Sequence, residues 1–191
     1  MRVQTQANNM GFDILVWGIL LLLCPIYRIT DVVAAVILIV AYRRCGKYLP
    51  EMLRAEKFSY AFLGLGILEI IFGYIFPLEI VLGGLEVARL ALLCAIFLST
   101  ARGLSELAMV AENASLYDRA SGLIKPIYII CAAKMAALVL SGFFPVTIPV
   151  LICAKVCEAV LIIMIFLTVF KFYQNINVYP AAQADDEDEL S

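Results

Sequence analysis

Six apolar blocks dominate this chain, and the last four of them are each long enough to cross a bilayer. A helix rises about 1.5 Å per residue, so roughly 20 apolar residues span a hydrocarbon core about 30 Å thick. Lipid offers the backbone no hydrogen-bond partners, so each spanning segment must satisfy its own amides, and continuous apolar runs do that as helices. Composition agrees: 64% of the 191 residues are hydrophobic and 16% charged, with a mean hydropathy of +0.98. A soluble domain is about half apolar and about a quarter charged. The fold expected is all-α, a polytopic transmembrane bundle.

The spans are read at about 12–27, 29–44, 58–76, 79–102, 123–144 and 146–172, in a single domain over 1–180. The first two are short. The stretch CPIYRITD between them reads either as a tight turn or as a proline kink in one long helix over 12–44, which would leave five spans. An internal repeat favours the turn. Pro25, Pro77 and Pro145 each fall between two blocks, and each is followed by an oppositely charged i,i+3 pair: Arg28/Asp31, Glu86/Arg89 and Lys155/Glu158. Each second block then ends on cations, at Arg43 and Arg44, at Arg102 and at Lys171. The expected layout is six helices as three helical hairpins.

Sidedness follows from the loops, because short cytoplasmic loops collect Lys and Arg. The connection RRCGKYLPEMLRAEK carries Arg43, Arg44, Lys47, Arg54 and Lys57, and the next carries Arg102, Arg119 and Lys125. The opposite turns offer only Arg28. A multi-pass cell-membrane protein with both termini cytoplasmic is therefore expected. No small-x-small cleavage pattern follows the first block, so that block is kept as mature structure. GLSELAMVAENASLYDRASGL has helical apolar spacing and is read as a short helix in the interface or packed under the bundle. Asn113-Ala114-Ser115 matches a glycosylation acceptor, but on the cytoplasmic side it would not be modified. The acidic run over 181–191 is read as a disordered tail.

The informative anomaly is charge inside apolar blocks. Glu86 and Arg89 sit in LGGLEVARLALLCAIFL, Lys155 and Glu158 lie at similar depth in the last block, and Glu69 and Lys134 lie inside the third and fifth. One ionised group at the centre of a spanning helix costs on the order of 2.5–3.5 kcal/mol on insertion scales. Six of them cannot face lipid separately. They are expected to turn inward as a network of three acids and three bases on four helices, with Tyr74 and Tyr128 as hydroxyl neighbours and Arg28 and Asp31 as secondary members. Glu86 with Arg89, and Lys155 with Glu158, have i,i+3 spacing for pairing within a helix. Glu69 and Lys134 should bond across helices.

Such a network has two readings. As helix glue it would work beside small-residue contacts at Gly64/Gly66, Gly83/Gly84, Ala132/Ala136 and Ala133/Ala137. As a midplane site it would bind or move an ion or small charged solute. The first is preferred: a non-enzymatic scaffold or subunit whose partners are the bilayer and either another protein or a second copy. The shape also fits a subunit of a larger transporter, by analogy alone.

Chemistry and nucleic-acid binding are not expected. The chain has no histidine, which removes H-E-x-x-H metalloproteolysis, Ser–His catalysis and histidine-ligated haem. Only Asp31 is a candidate for an intramembrane aspartyl dyad, and no Gly-rich phosphate loop or groove-like basic patch is present. Neither cofactor nor metal is implied. The six cysteines lie mostly in apolar blocks and are read as small packing residues.

Overall fold

The structure is a computed structural model, and it describes residues 11–23, 28–74, 79–141 and 148–175. Those residues form seven helices and no strand: α1 (Phe12–Leu22), α2 (Arg28–Cys45), α3 (Pro50–Tyr74), α4 (Glu79–Val110), α5 (Ala114–Gly122), α6 (Ile124–Ser141) and α7 (Ile148–Asn175). Pro25, Pro77, Pro145 and the acidic tail lie outside the described residues. Three stretches are long and apolar enough to cross a membrane: Val81–Val110, Ala114–Leu140 and Ile152–Asn175.

Helices consecutive in the chain pack side by side. Gly11 lies against Arg44 and Ala41, and Gly18 lies against Leu38 and Ile37, so α1 runs antiparallel beside α2. The first pair is therefore a hairpin, not one long kinked helix. Gly66 against Val32, with the Arg43–Glu56 ion pair at 3.0 Å, sets α2 antiparallel to α3. Gly103 against Met52 does the same for α3 and α4. α4 then packs on α6, α6 on α7, and α7 back on α1, which closes a ring of six helices, while α5 touches α4, α6 and α7 from below.

Two helices run longer than their apolar blocks. α3 starts at Pro50, whose fixed φ and missing N–H suit a first helical turn, and Glu51 and Arg54 pair at 2.6 Å to support it. α4 continues eight residues past 102 because nothing in GLSELAMV breaks a helix; Leu104, Leu107 and Ala108 are buried in the core. This segment packs under the bundle, the second of the two placements expected for it. The helix stops at Glu112, which takes a left-handed φ of 51°. Asn113 then caps α5, its side-chain carbonyl accepting from the Leu116 N–H at 3.1 Å. The apparent glycosylation acceptor thus has a capping role.

The ring's interior changes character along its length. At the basic end, where α2 meets α3, it is closed by Phe12, Tyr42, Met52, Phe97, Leu104 and Phe172, all essentially inaccessible. Toward the opposite end, where α1, α3 and α6 finish, charged side chains replace the apolar ones.

Candidate functional site: an ionic layer at one end of the bundle

Five charges of the layer continue the buried stripe of their own helix. Asp31 precedes Ala35, Leu38, Tyr42 and Cys45 at helical spacing, and all four are buried. Glu69 extends the stripe of Phe62 and Ser59; Arg89 precedes Leu93 and Ile96; Lys134 follows Ile127 and Cys131; Glu158 precedes Leu161, Ile162 and Ile165. From the helix ends, Glu86 and Arg89 lie about 10 and 15 Å deep by helical rise, and Lys134 and Lys155 about 10 Å. The stripes deliver Asp31, Glu69, Arg89, Lys134 and Glu158 to one end of the bundle, beside Glu86 and Lys155.

Two clusters result. In the first, the Arg89 guanidinium on α4 donates to the Asp31 carboxylate on α2, and the same Nη1 stands 4.0 Å from Glu69 Oε2 on α3. In the second, the Lys134 ammonium on α6 donates to the Glu158 carboxylate on α7, while Lys155 lies 4.0 Å from Glu158 and 3.8 Å from Glu86 of α4. Because Glu86 and Arg89 share α4, the clusters adjoin. Glu69 and Lys134 are 5% and 4% exposed and do pair across helices, as their isolation in the sequence predicts.

Several expectations are corrected. Arg89 reaches α2 and α3, not its i,i+3 neighbour Glu86, which turns to α7. Lys155 and Glu86 are not buried: their side chains are 61% and 40% exposed. Lys155 lies in the first half of α7, most of whose described residues are exposed. There Ile152, Val156 and Val160 are exposed, and so are Cys153 and Cys157, against the expectation of buried packing thiols. Cys45, Cys94 and Cys131 are buried as expected, and Cys24 lies outside the described residues.

The hydroxyl neighbours also differ. Tyr128 is exposed, and the side chains of Tyr74 and Arg28 are outside the description. A different tyrosine is buried. Thr100 donates its proton to the Ile96 carbonyl at 2.8 Å, which leaves its oxygen to accept from the Tyr42 hydroxyl at 2.7 Å. This bond ties α2 to α4 below the layer, and sequence reasoning missed it. The signal was available, since Tyr42 lies three turns from Asp31 on one stripe. Of the small-residue contacts, Gly66 packs closely; Gly64, Gly83 and Gly84 face open space, and Ala132, Ala133 and Ala136 are exposed. Close approach occurs instead at Gly18 and Gly103.

Among the described residues, no group of three or more Cys, Asp or Glu could hold a metal ion. The arrangement can bind helices together, hold protons, or meet a small charged group at its exposed flank. Comparison of the chain with protein-family models finds no match, and neither do comparisons with curated proteins and with solved structures.

Proposed function

We propose that this chain is a six-span integral membrane protein, both ends cytoplasmic, that acts without catalysis as a scaffold or subunit whose ionic layer joins its helices. The observation that supports this reading is the pairing across helices of charges on the core stripes of α2, α3, α4, α6 and α7. Lipid gives helices no hydrophobic reason to associate, so polar contacts between them supply specificity. The exposed belt, with Trp17, Ile67, Ile129, Val139 and Leu167, suits acyl chains on the bundle's outside.

One observation favours a second reading, in which the protein is a transporter or permease subunit. Glu86 and Lys155 are accessible at a depth where charges facing lipid are costly. A small charged solute meeting them there would explain their retention. The two readings separate on Glu86→Gln and Lys155→Met in reconstituted liposomes. Under the scaffold reading both variants lower the melting temperature or lose a co-purifying partner, and solute flux is absent throughout. Under the second, both fold normally and abolish a flux that the parent chain shows.

A further inference from the structure

The ionic layer has one open flank, between α4 and α7. Lys155 stands 3.8 Å from Glu86 Oε1 and 4.0 Å from Glu158 Oε2, both too far for a hydrogen bond, and Lys134 already donates to that oxygen of Glu158. The Lys155 and Glu86 side chains are 61% and 40% exposed. Their surroundings are apolar or small. Ile152 and Ala159, one turn to either side of Lys155, are exposed, and Gly83, one turn from Glu86, has open space where a Cβ would stand. α4 and α7 run in the same direction, and each charge lies about 10 Å along its helix, so the two stand side by side at equal depth. A lysine stem can stretch toward the headgroups from there, but the shorter glutamate reaches less far. Left against acyl chains, the pair is costly.

We infer that this flank is the interface of a homodimer, in which Lys155 of each copy pairs with Glu86 of the other across a two-fold axis. The inference deepens the scaffold reading and rests on it, since it names a second copy as the partner and places this end of the bundle within the bilayer. The occupant follows from the charges. A patch of one sign calls for a partner of the other sign, whereas one acid beside one base is complementary to the same patch rotated by a two-fold. Two copies that share one topology in a bilayer can be related only by a two-fold along the membrane normal. Such an axis exchanges groups side by side at equal depth, which is how Glu86 and Lys155 stand. Four charges then alternate in sign around the axis, and the loose pair of each copy gains a second partner. Gly83 adds room, because small residues let helices approach closely in lipid.

The test is energy transfer between donor- and acceptor-labelled full chains in lipid vesicles, followed as the vesicles are diluted with lipid. The parent chain should show transfer. Lys155→Glu sets acids against acids across the axis and Glu86→Lys sets bases against bases, so each should raise the protein-to-lipid ratio needed for pairing by about tenfold or more. A mixture of these two single variants should pair as the parent does, because the acids of one copy then meet the bases of the other. Contacts within one chain cannot produce that recovery. Where a reversed charge prevents folding, Glu86→Gln and Lys155→Gln decide instead, and each should weaken pairing. A parent without transfer at any ratio overturns the inference, as do single variants that pair like the parent, or a mixture of folded variants that does not recover. A monomeric parent whose solute flux is lost on Glu86→Gln overturns it in favour of a solute at this flank. Carbonate extraction of native membranes separates the claims: a monomeric chain that stays with the membrane and co-purifies with another protein fails only here, and a chain that washes off removes the membrane reading as well.

Discussion

A lysine that is 4% exposed among apolar helices has the Glu158 carboxylate lying against it, and the same dependence on a named partner holds throughout this interior. Tyr42 is the neutral example. Phenylalanine at this position keeps the packing and removes only the donor to Thr100, whose own proton remains on Ile96. Tyr42→Phe should therefore cost about 0.5–1.5 kcal/mol, measured by denaturant unfolding in detergent. The cysteines report the same environments from outside. In a chain carrying Cys24→Ser, a membrane-permeant maleimide should label Cys153 and Cys157 in the folded protein, and Cys45, Cys94 and Cys131 only after unfolding. Mass spectrometry of the labelled peptides checks this assignment. Rapid labelling of Cys94 or Cys131 in the folded state would contradict the packing of α4 on α6.

At the scale of elements, close approach is confined to particular glycines. A Cβ on Gly18 would meet Leu38 at 2.8 Å, so Gly18→Val should separate α1 from α2 at a cost of about 1–3 kcal/mol. Gly83→Ala, which meets nothing within 4 Å, should change thermal stability by less than about 0.5 kcal/mol. Asn113→Ala removes the cap of α5 and should cost about 1 kcal/mol. Much of this level was legible beforehand. Apolar length reveals the helices, and the isolation of Glu69 and Lys134 from any i,i+3 or i,i+4 partner implies pairing across helices. What the pattern does not reveal is which neighbour a charge selects. Arg89 has Glu86 one turn away, yet it reaches Asp31 and Glu69 because its stripe faces α2 and α3. Nor does glycine spacing reveal contact: LGLGI and LGGLE look alike in sequence, but Gly66 packs on Val32 while Gly83 and Gly84 are open. Helix ends suffer similarly, since the amphipathic GLSELAMV carries no signal that it continues α4 and does not start anew.

For the whole molecule, the closed ring follows from helices consecutive in the chain packing side by side. Three hairpins stand side by side, and α7 returns to α1. Seven helices stand where six spans are expected because α5 leads almost directly into α6, and three stretches among the described residues are long and apolar enough to cross a membrane. The exposed flank at Glu86 and Lys155 was not legible, since both sit in apolar blocks that look like the buried ones and exposure depends on which face of a helix meets its neighbours. The proposed topology places Lys47, Asn113 and both termini on one side; protease protection of tags at those positions should show them all cleaved together in inverted vesicles and all protected in right-side-out ones. The account as a whole depends on charges meeting across helices inside the ring. A double-mutant cycle on Lys134→Met and Glu158→Gln, read by reversible unfolding in a lipid-like detergent, measures this directly. The structure predicts a coupling within the range of about 0.5–3 kcal/mol, with the double variant more stable than the sum of the two single losses allows. Additive losses, within about 0.3–0.5 kcal/mol, would mean that the two side chains do not meet.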